Sequence, residues 1–239
     1  GLEAAGRQAG ARIRDAVTAE YGAAELFVVK DPRMCRLVPP WRHALAELGI
    51  APRCVVIVRN PLEVAASLAA RDEMSVERSV LLWLIHSIEA ERHTRGCRRV
   101  FVAYDRVLED WRSECARIGS GLGLAFPRSF ADAAPDVEGF LRSDRRHHRA
   151  TREELVGHQG IADIVVAAYD LLQAAAEGDV VGEASLDAVR HQLNRAGELF
   201  GSLLGDRDAT GTLVPAAEPS VRDPAAPSVA PARGGVIEF

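Results

Sequence analysis

Short apolar runs alternate with amphipathic segments along the first half of the chain. The runs at 26–29, 54–58 and 100–103 are rich in valine and other residues that favour extended backbone. Continuous apolar runs of this length indicate strands that are buried on both faces of a parallel sheet. The remaining segments predict helices at 10–20, 41–48, 61–71, 76–93 and 106–118. Because strand and helix alternate, the sequence predicts an α/β fold with a mostly parallel sheet covered by helices.

The second half of the chain is predicted to be helical. A weak helix is predicted near 137–141, before a basic run at 142–149. Thr151 and Glu154 have the spacing of a capping box, which predicts a long helix to about position 172. Ser185 can cap a further helix that ends near position 204. From there proline, alanine and glycine predominate, so we predict an α/β domain at 1–205 and a disordered tail at 206–239.

The composition excludes several classes of protein. The 239 residues carry a formal net charge of −5, which argues against a protein that coats nucleic acid. The four cysteines are widely spaced and form no metal-binding pattern, so they are predicted to be buried reduced thiols. The chain has no apolar stretch of about 20 residues and no secretory signal pattern, which predicts a cytoplasmic protein without a membrane span.

The candidate chemistry lies where the predicted strands end. Lys30, Arg59 and Tyr104 each follow an apolar run, and ligands of open α/β sheets bind beyond the carboxyl ends of the strands. Asn60 and Pro61 are typical first residues of a helix, so a helix start is expected directly beside Arg59. The free N–H groups and the positive dipole end of that helix favour a bound anion.

Two further side chains are predicted to face the same anion. Ser67 lies about two turns into this helix, and Arg71 follows four residues later, so both occupy one helical face. A serine hydroxyl between two guanidinium groups can donate several charge-assisted hydrogen bonds to a phosphate monoester. The spacing therefore predicts a site for a dianion.

The segment V-I-V-R-N-P-L-E-V-A-A-S-L at 56–68 resembles the 3′-phosphate-binding segment of sulfotransferases that use 3′-phosphoadenosine 5′-phosphosulfate (PAPS). That motif consists of an arginine after a strand and a serine eight residues later, here Arg59 and Ser67. Arg71 also matches the family pattern. The resemblance implies a fold like that of P-loop NTPases, with PAPS as the co-substrate and no metal.

Two other segments carry the resemblance further. The sequence K-D-P that begins at Lys30 resembles a segment of the tyrosylprotein and bacterial branches of the family, in which the lysine stabilises the reacting sulfate. The stretch 100–110 resembles a later strand whose tyrosine, here Tyr104, reaches the nucleotide. The implied reaction transfers a sulfuryl group from PAPS to a hydroxyl or amine of a small molecule, carbohydrate, lipid or peptide.

One part of the family pattern is missing from the sequence. Sulfotransferases carry a loop similar to P-R-S-G-T that wraps the 5′-phosphosulfate, and nothing like it precedes Lys30. The alternative is therefore a truncated, non-catalytic module that binds the nucleotide or a partner protein. A P-loop kinase is a second rival, but the chain has no G-x-x-x-x-G-K-[ST] motif.

Overall fold

The structure is a computed structural model that describes residues 2–141, 149–204 and 237–238. It contains three strands, β1 (Arg53–Val58), β2 (Arg98–Ala103) and β3 (Ile237–Glu238). The helices of the described residues are, in chain order, α1 (Leu2–Tyr21), α2 (Met34–Glu47), α3 (Pro61–Asp72), α4 (Val76–Thr94), α5 (Tyr104–Glu109), α6 (Trp111–Leu122), α7 (Phe130–Phe140), α8 (Arg152–Gly157), α9 (Asp163–Glu177) and α10 (Glu183–Leu204). The helix α10 belongs to a different compact unit from the other elements.

The sheet is small and parallel, with β1 between β2 and β3. Along β1 and β2 the residues are paired one to one, and the last pair is Val58 beside Ala103. The prediction of an α/β fold with a parallel sheet is confirmed in this form. Because both strands end at the same level, the residues that follow them lie at one edge of the sheet.

Helices cover both faces of this sheet. Val55 packs with residues of β2 and with Leu122 at the end of α6. Its neighbour Val56 packs with Cys35 of α2 and Ala90 of α4. Since successive side chains of a strand point to opposite faces, α6 covers one face and the pair α2 and α4 covers the other.

The predicted strand at 26–29 is wrong. Phe27 and Lys30 make only isolated bridges instead of a strand, and Val28 is 38% exposed. The ring of Phe27 stacks on Tyr21, with the ring centroids 4.7 Å apart. Phe27 and Val29 pack against the cluster that α1 and α2 form around Met34. Phe27 and Val29 therefore contribute to helix packing, and Lys30 does not end a sheet strand.

The helix α2 begins earlier than predicted, and its two prolines lie inside it instead of at its start. Pro39 has no N–H, so it cannot donate to the carbonyl of Cys35 four residues before it. The ring atom Nδ1 of His93 lies 2.8 Å from that carbonyl oxygen and donates to it, because a carbonyl can only accept. A side chain of α4 thus replaces the missing helix bond of α2.

Two predicted helices are each divided into two. Asp110 interrupts the helix predicted at 106–118, and its side chain accepts a hydrogen bond from the Ser113 backbone to start α6. The capping box of Thr151 and Glu154 is confirmed. The helix that follows it ends at position 157, and the chain turns at Gly160 with φ of 92° before α9 begins.

Several other predictions agree only partly with the structure or lie partly outside the described residues. The weak helix near 137–141 is α7, which begins earlier, after the cap Ser129. The basic run lies outside the described residues except for Arg149, which is exposed, and so does the predicted tail except for β3. All four cysteines are free, but only Cys35 and Cys54 are buried. Within the described part of the chain, none of the helices combines the length and the apolar character needed to cross a bilayer.

The contact between α6 and β2 predicts a large effect of one methyl group. A Cβ added at Gly121 would lie 2.6 Å from Cγ2 of Val100, which is buried. We expect Gly121→Ala to lower the free energy of unfolding by about 1–3 kcal/mol through overpacking.

The matched control is Gly139→Ala in α7, where an added Cβ meets no atom within 4 Å. There the same change removes backbone entropy from the unfolded state and should raise the free energy of unfolding by up to about 1 kcal/mol. Urea unfolding of both variants measures the two effects, and effects of equal sign would contradict the packing argument.

Candidate anion site at the sheet edge

The structure brings two of the predicted site residues together. Arg59 follows β1 and Tyr104 follows β2, and the register of the strands makes them neighbours. The guanidinium carbon of Arg59 lies 4.6 Å from the centre of the Tyr104 ring. This cation–π contact holds the flat guanidinium group over the ring. Tyr104 thus contacts the predicted phosphate-binding arginine itself.

Glu63 is part of this site, although the sequence assigned it no role in binding. Its Oε2 accepts a hydrogen bond from Nε of Arg59 at 3.0 Å. The side chain of Glu63 is 1% exposed, whereas that of Arg59 is 24% exposed. The signal in the sequence was an acid four residues after an arginine, a spacing that places the two side chains on one side of a helix start.

The start of α3 also holds a segment that is distant in the sequence. The side-chain amide of Asn60 donates to the carbonyls of Ala150 and Thr151, at 3.0 and 3.2 Å. In return the backbone N–H of Ala150 donates to Oε1 of Glu63 at 3.1 Å. These three hydrogen bonds fix positions 150–151 beside Arg59.

The helix start offers fewer hydrogen bonds to an anion than the sequence predicted. Pro61 has no N–H, and the N–H of Leu62 already donates to Oδ1 of Asn60 at 2.9 Å. The N–H of Val64 donates to the backbone carbonyl of Asn60. The prediction that free N–H groups face the anion is therefore wrong for these residues. The cap residue Asn60, which starts the helix, accepts the hydrogen bonds that an anion would need. The helix dipole remains directed at the edge.

Two aromatic side chains support the site from α4 and α9. Nε1 of Trp83 donates to the carbonyl of Arg59 at 3.1 Å, and the Trp83 and Tyr169 rings pack edge to face with the centroids 6.2 Å apart. Burial raises the pKa of Tyr169 to about 12, and the negative charges of Asp105 and Glu63 act in the same direction. A phenol near these carboxylates thus stays neutral.

Ser67 and Arg71 have partners within α3. The hydroxyl of Ser67 donates to the carbonyl of Glu63 at 3.0 Å, the bond that serine often makes inside a helix. Arg71 is 70% exposed and forms an ion pair with Asp72 at 2.6 Å. Its hydrogen bonds hold the pKa of Asp72 below its usual value. The Ser67 hydroxyl would have to leave this carbonyl to donate to a phosphate, because it has a single proton to donate.

Lys30 lies outside the sheet, on an exposed segment. The neighbouring Asp31 accepts a hydrogen bond from the Arg33 side chain at 2.9 Å and another from the Arg33 backbone at 2.7 Å. The side-chain bond, supported by the charges of Arg33 and Lys30, lowers the pKa of Asp31. Asp31 therefore pairs with Arg33, and Lys30 acts on it through its charge.

Compared with known proteins, the chain matches no family model, no curated protein and no solved structure. A guanidinium group is held between a buried carboxylate and an aromatic ring, at the edge where two parallel strands end. This arrangement suits a bound anion more than a reaction that needs a free acid or base.

The contacts of Asn60 predict that losing its side chain lowers the free energy of unfolding more than losing an ordinary helix cap does. We expect Asn60→Ala to lower the free energy of unfolding by about 2 kcal/mol or more, since it removes the cap of α3 and the donor to 150–151. The control Ser129→Ala removes only the local cap of α7 and should cost about 1 kcal/mol. Equal losses in urea unfolding would show that the distant contacts contribute nothing.

Tyr169 predicts a specific loss of stability in alkali. Its pKa in the folded protein, about 12, lies above the ordinary value of 10, so folding favours the neutral phenol. This stabilisation is complete below pH 10 and is lost as the pH rises from 10 to about 12. We expect Tyr169→Phe to lose less stability than the wild type over this interval, measured by urea unfolding at each pH. Parallel curves would contradict this assignment.

Proposed function

We propose that the chain binds PAPS through its 3′-phosphate and forms part of a sulfotransferase with a fold like that of P-loop NTPases. The observation that carries this proposal is the position of Arg59. It follows a parallel strand, begins the motif of the resemblance and is oriented by Glu63 and Tyr104. Ligands of open α/β sheets bind at this edge, and a fixed guanidinium group favours a phosphate.

In this function Arg59 binds through its Nη groups. Its Nε is bonded to Glu63, so the other edge of the guanidinium fork is the one that meets a phosphate in the two-bond geometry that arginine favours. The ring of Tyr104 supports the guanidinium face, and in this function it also contacts the nucleotide. The dipole of α3 adds a favourable field for the dianion.

Ser67 and Arg71 complete the phosphate site after a change of partner. The ion pair of Arg71 with Asp72 is exposed, and such pairs contribute little, so a phosphate can displace Asp72. The hydroxyl of Ser67 exchanges an intrahelical carbonyl for a charged oxygen, which is the stronger acceptor. Binding therefore reorganises the exposed face of α3 but not its first turn.

The reaction of the proposed enzyme is an in-line transfer. The acceptor oxygen or nitrogen forms a bond to sulfur while the bond from sulfur to the bridging phosphate oxygen breaks, and the acceptor proton goes to a base. The products are the sulfated acceptor and adenosine 3′,5′-bisphosphate. Lys30 is the candidate that neutralises the charge on the bridging oxygen, as a positioned cation can.

A second function is favoured by the difference between Arg59 and Lys30. Arg59 is held in place by two neighbours, whereas Lys30 lies on an exposed segment outside the sheet. This contrast supports a module that binds adenosine 3′,5′-bisphosphate or PAPS through Arg59 without catalysis. Both functions require the same 3′-phosphate site.

The test is titration calorimetry with adenosine 3′,5′-bisphosphate and with 5′-AMP. We expect the wild type to prefer the bisphosphate by about tenfold or more, because the 3′-phosphate adds charge-assisted hydrogen bonds. Arg59→Lys keeps a positive charge opposite the buried Glu63 but loses the planar fork, so most of this preference should disappear.

Arg99→Lys is the matched control. Arg99 also pairs with a buried glutamate, Glu91, at 3.0 Å and lies over an aromatic ring, that of Phe101. It belongs to the amino end of β2, so its variant should keep the preference of the wild type. Equal affinity of the wild type for the two nucleotides would refute the 3′-phosphate site and both functions with it.

A further inference from the structure

Glu63 connects two parts of the site through its two carboxylate oxygens. Oε2 accepts from the guanidinium group of Arg59 and Oε1 accepts from the backbone of Ala150. The carboxylate is almost fully buried, at 1% exposure. Burying a charge is costly unless hydrogen bonds and an opposite charge compensate, so the position of each partner is strongly constrained.

These contacts fix the direction in which Arg59 can bind. The Nε–H bond lies in the plane of the guanidinium group, so its hydrogen bond to Glu63 sets the rotation of that plane. The ring of Tyr104 restrains the same group from its face. Together the two neighbours leave the Nη edge in one orientation, before any ligand arrives.

We infer that Glu63 is a positioning residue, which sets the orientation of Arg59 and thereby lets the site distinguish a 3′-phosphate from a 2′-phosphate. The inference rests on the proposed function. A ribose carries its 2′- and 3′-oxygens on adjacent carbons. A site therefore selects between the two phosphates by the direction in which its cation donates hydrogen bonds. A guanidinium group free to turn would follow either phosphate, whereas one held by Glu63 favours one of them.

The charge of Glu63 has the opposite effect on overall affinity. A carboxylate beside an anion site repels any phosphate, so its removal strengthens the attraction for both nucleotide isomers. Affinity for one nucleotide therefore combines two opposing effects. The ratio of the two affinities reports orientation alone, because the isomers carry the same charge.

The experiment compares Glu63→Gln with the wild type by titration with adenosine 3′,5′-bisphosphate and adenosine 2′,5′-bisphosphate. Glutamine keeps the length of the side chain and an oxygen that can accept from Ala150, but it removes the ionic bond to Arg59. We expect the wild type to prefer the 3′-isomer. In the variant the ratio of the two affinities should fall about tenfold, the effect expected from the loss of one hydrogen bond to a charged group.

Glu91→Gln is the matched control. Glu91 is 1% exposed and pairs with Arg95 and Arg99, so its variant disturbs a comparable buried ion pair that does not include Arg59. We expect it to keep the wild-type ratio. A ratio unchanged in Glu63→Gln, or equally reduced in Glu91→Gln, would overturn the inference.

A measurement without nucleotide separates this inference from the proposed function. The NMR signal of the Arg59 Nε–H, identified by its loss in Arg59→Lys, should shift and exchange faster with water in Glu63→Gln but not in Glu91→Gln. An unchanged signal would overturn the positioning role even if the nucleotide binds. If that signal responds as expected but the wild type prefers neither isomer, the proposed function and the selectivity assigned to Glu63 both fail.

Discussion

The burial of the Glu63 carboxylate is the interaction on which the site depends. Removing a carboxylate from water costs several kcal/mol, and this cost is recovered only when every partner is in place. Arg59 comes from the end of β1, and Ala150 lies 87 residues after Glu63. The strand end, the first turn of α3 and positions 150–151 must therefore assemble together. A site built in this way is ordered before it meets a ligand.

Two other buried glutamates are also compensated by arginines, but their ion pairs connect neighbouring elements of the fold. Glu91 of α4 pairs with Arg99 of β2, and Glu114 of α6 pairs with Arg106 of α5. Each pair ties a helix to its neighbour while the glutamate stays at 1% or 3% exposure. The protein carries a net charge of −5, yet these pairs place single cations at defined positions. A local anion site is thus compatible with an acidic chain, since it depends on the nearest charges.

The sequence was sufficient for β1, α3, α4 and β2, because each has a strong local signal in its apolar run, cap or helical spacing. It was not sufficient at 26–29, because four apolar residues are equally compatible with a strand and with a segment that packs on helices. The neighbourhood of Arg59 and Tyr104 followed from the parallel sheet. The role of Glu63 did not, since a local pattern cannot show the bond to Ala150 and the acid already had an explanation in the helix dipole.

The first turn of α3 explains why the proposed site depends on the orientation of one arginine. A helix start can bind an anion with its own N–H groups, and the ligand is then positioned by the backbone. In this protein Pro61 lacks that group and Asn60 accepts the N–H of Leu62, so at these two positions the helix offers an anion only its field. A field attracts phosphates without selecting between their directions. Selection must then come from side chains, and a side chain selects only when it cannot turn, which is the condition that the buried carboxylate imposes on Arg59.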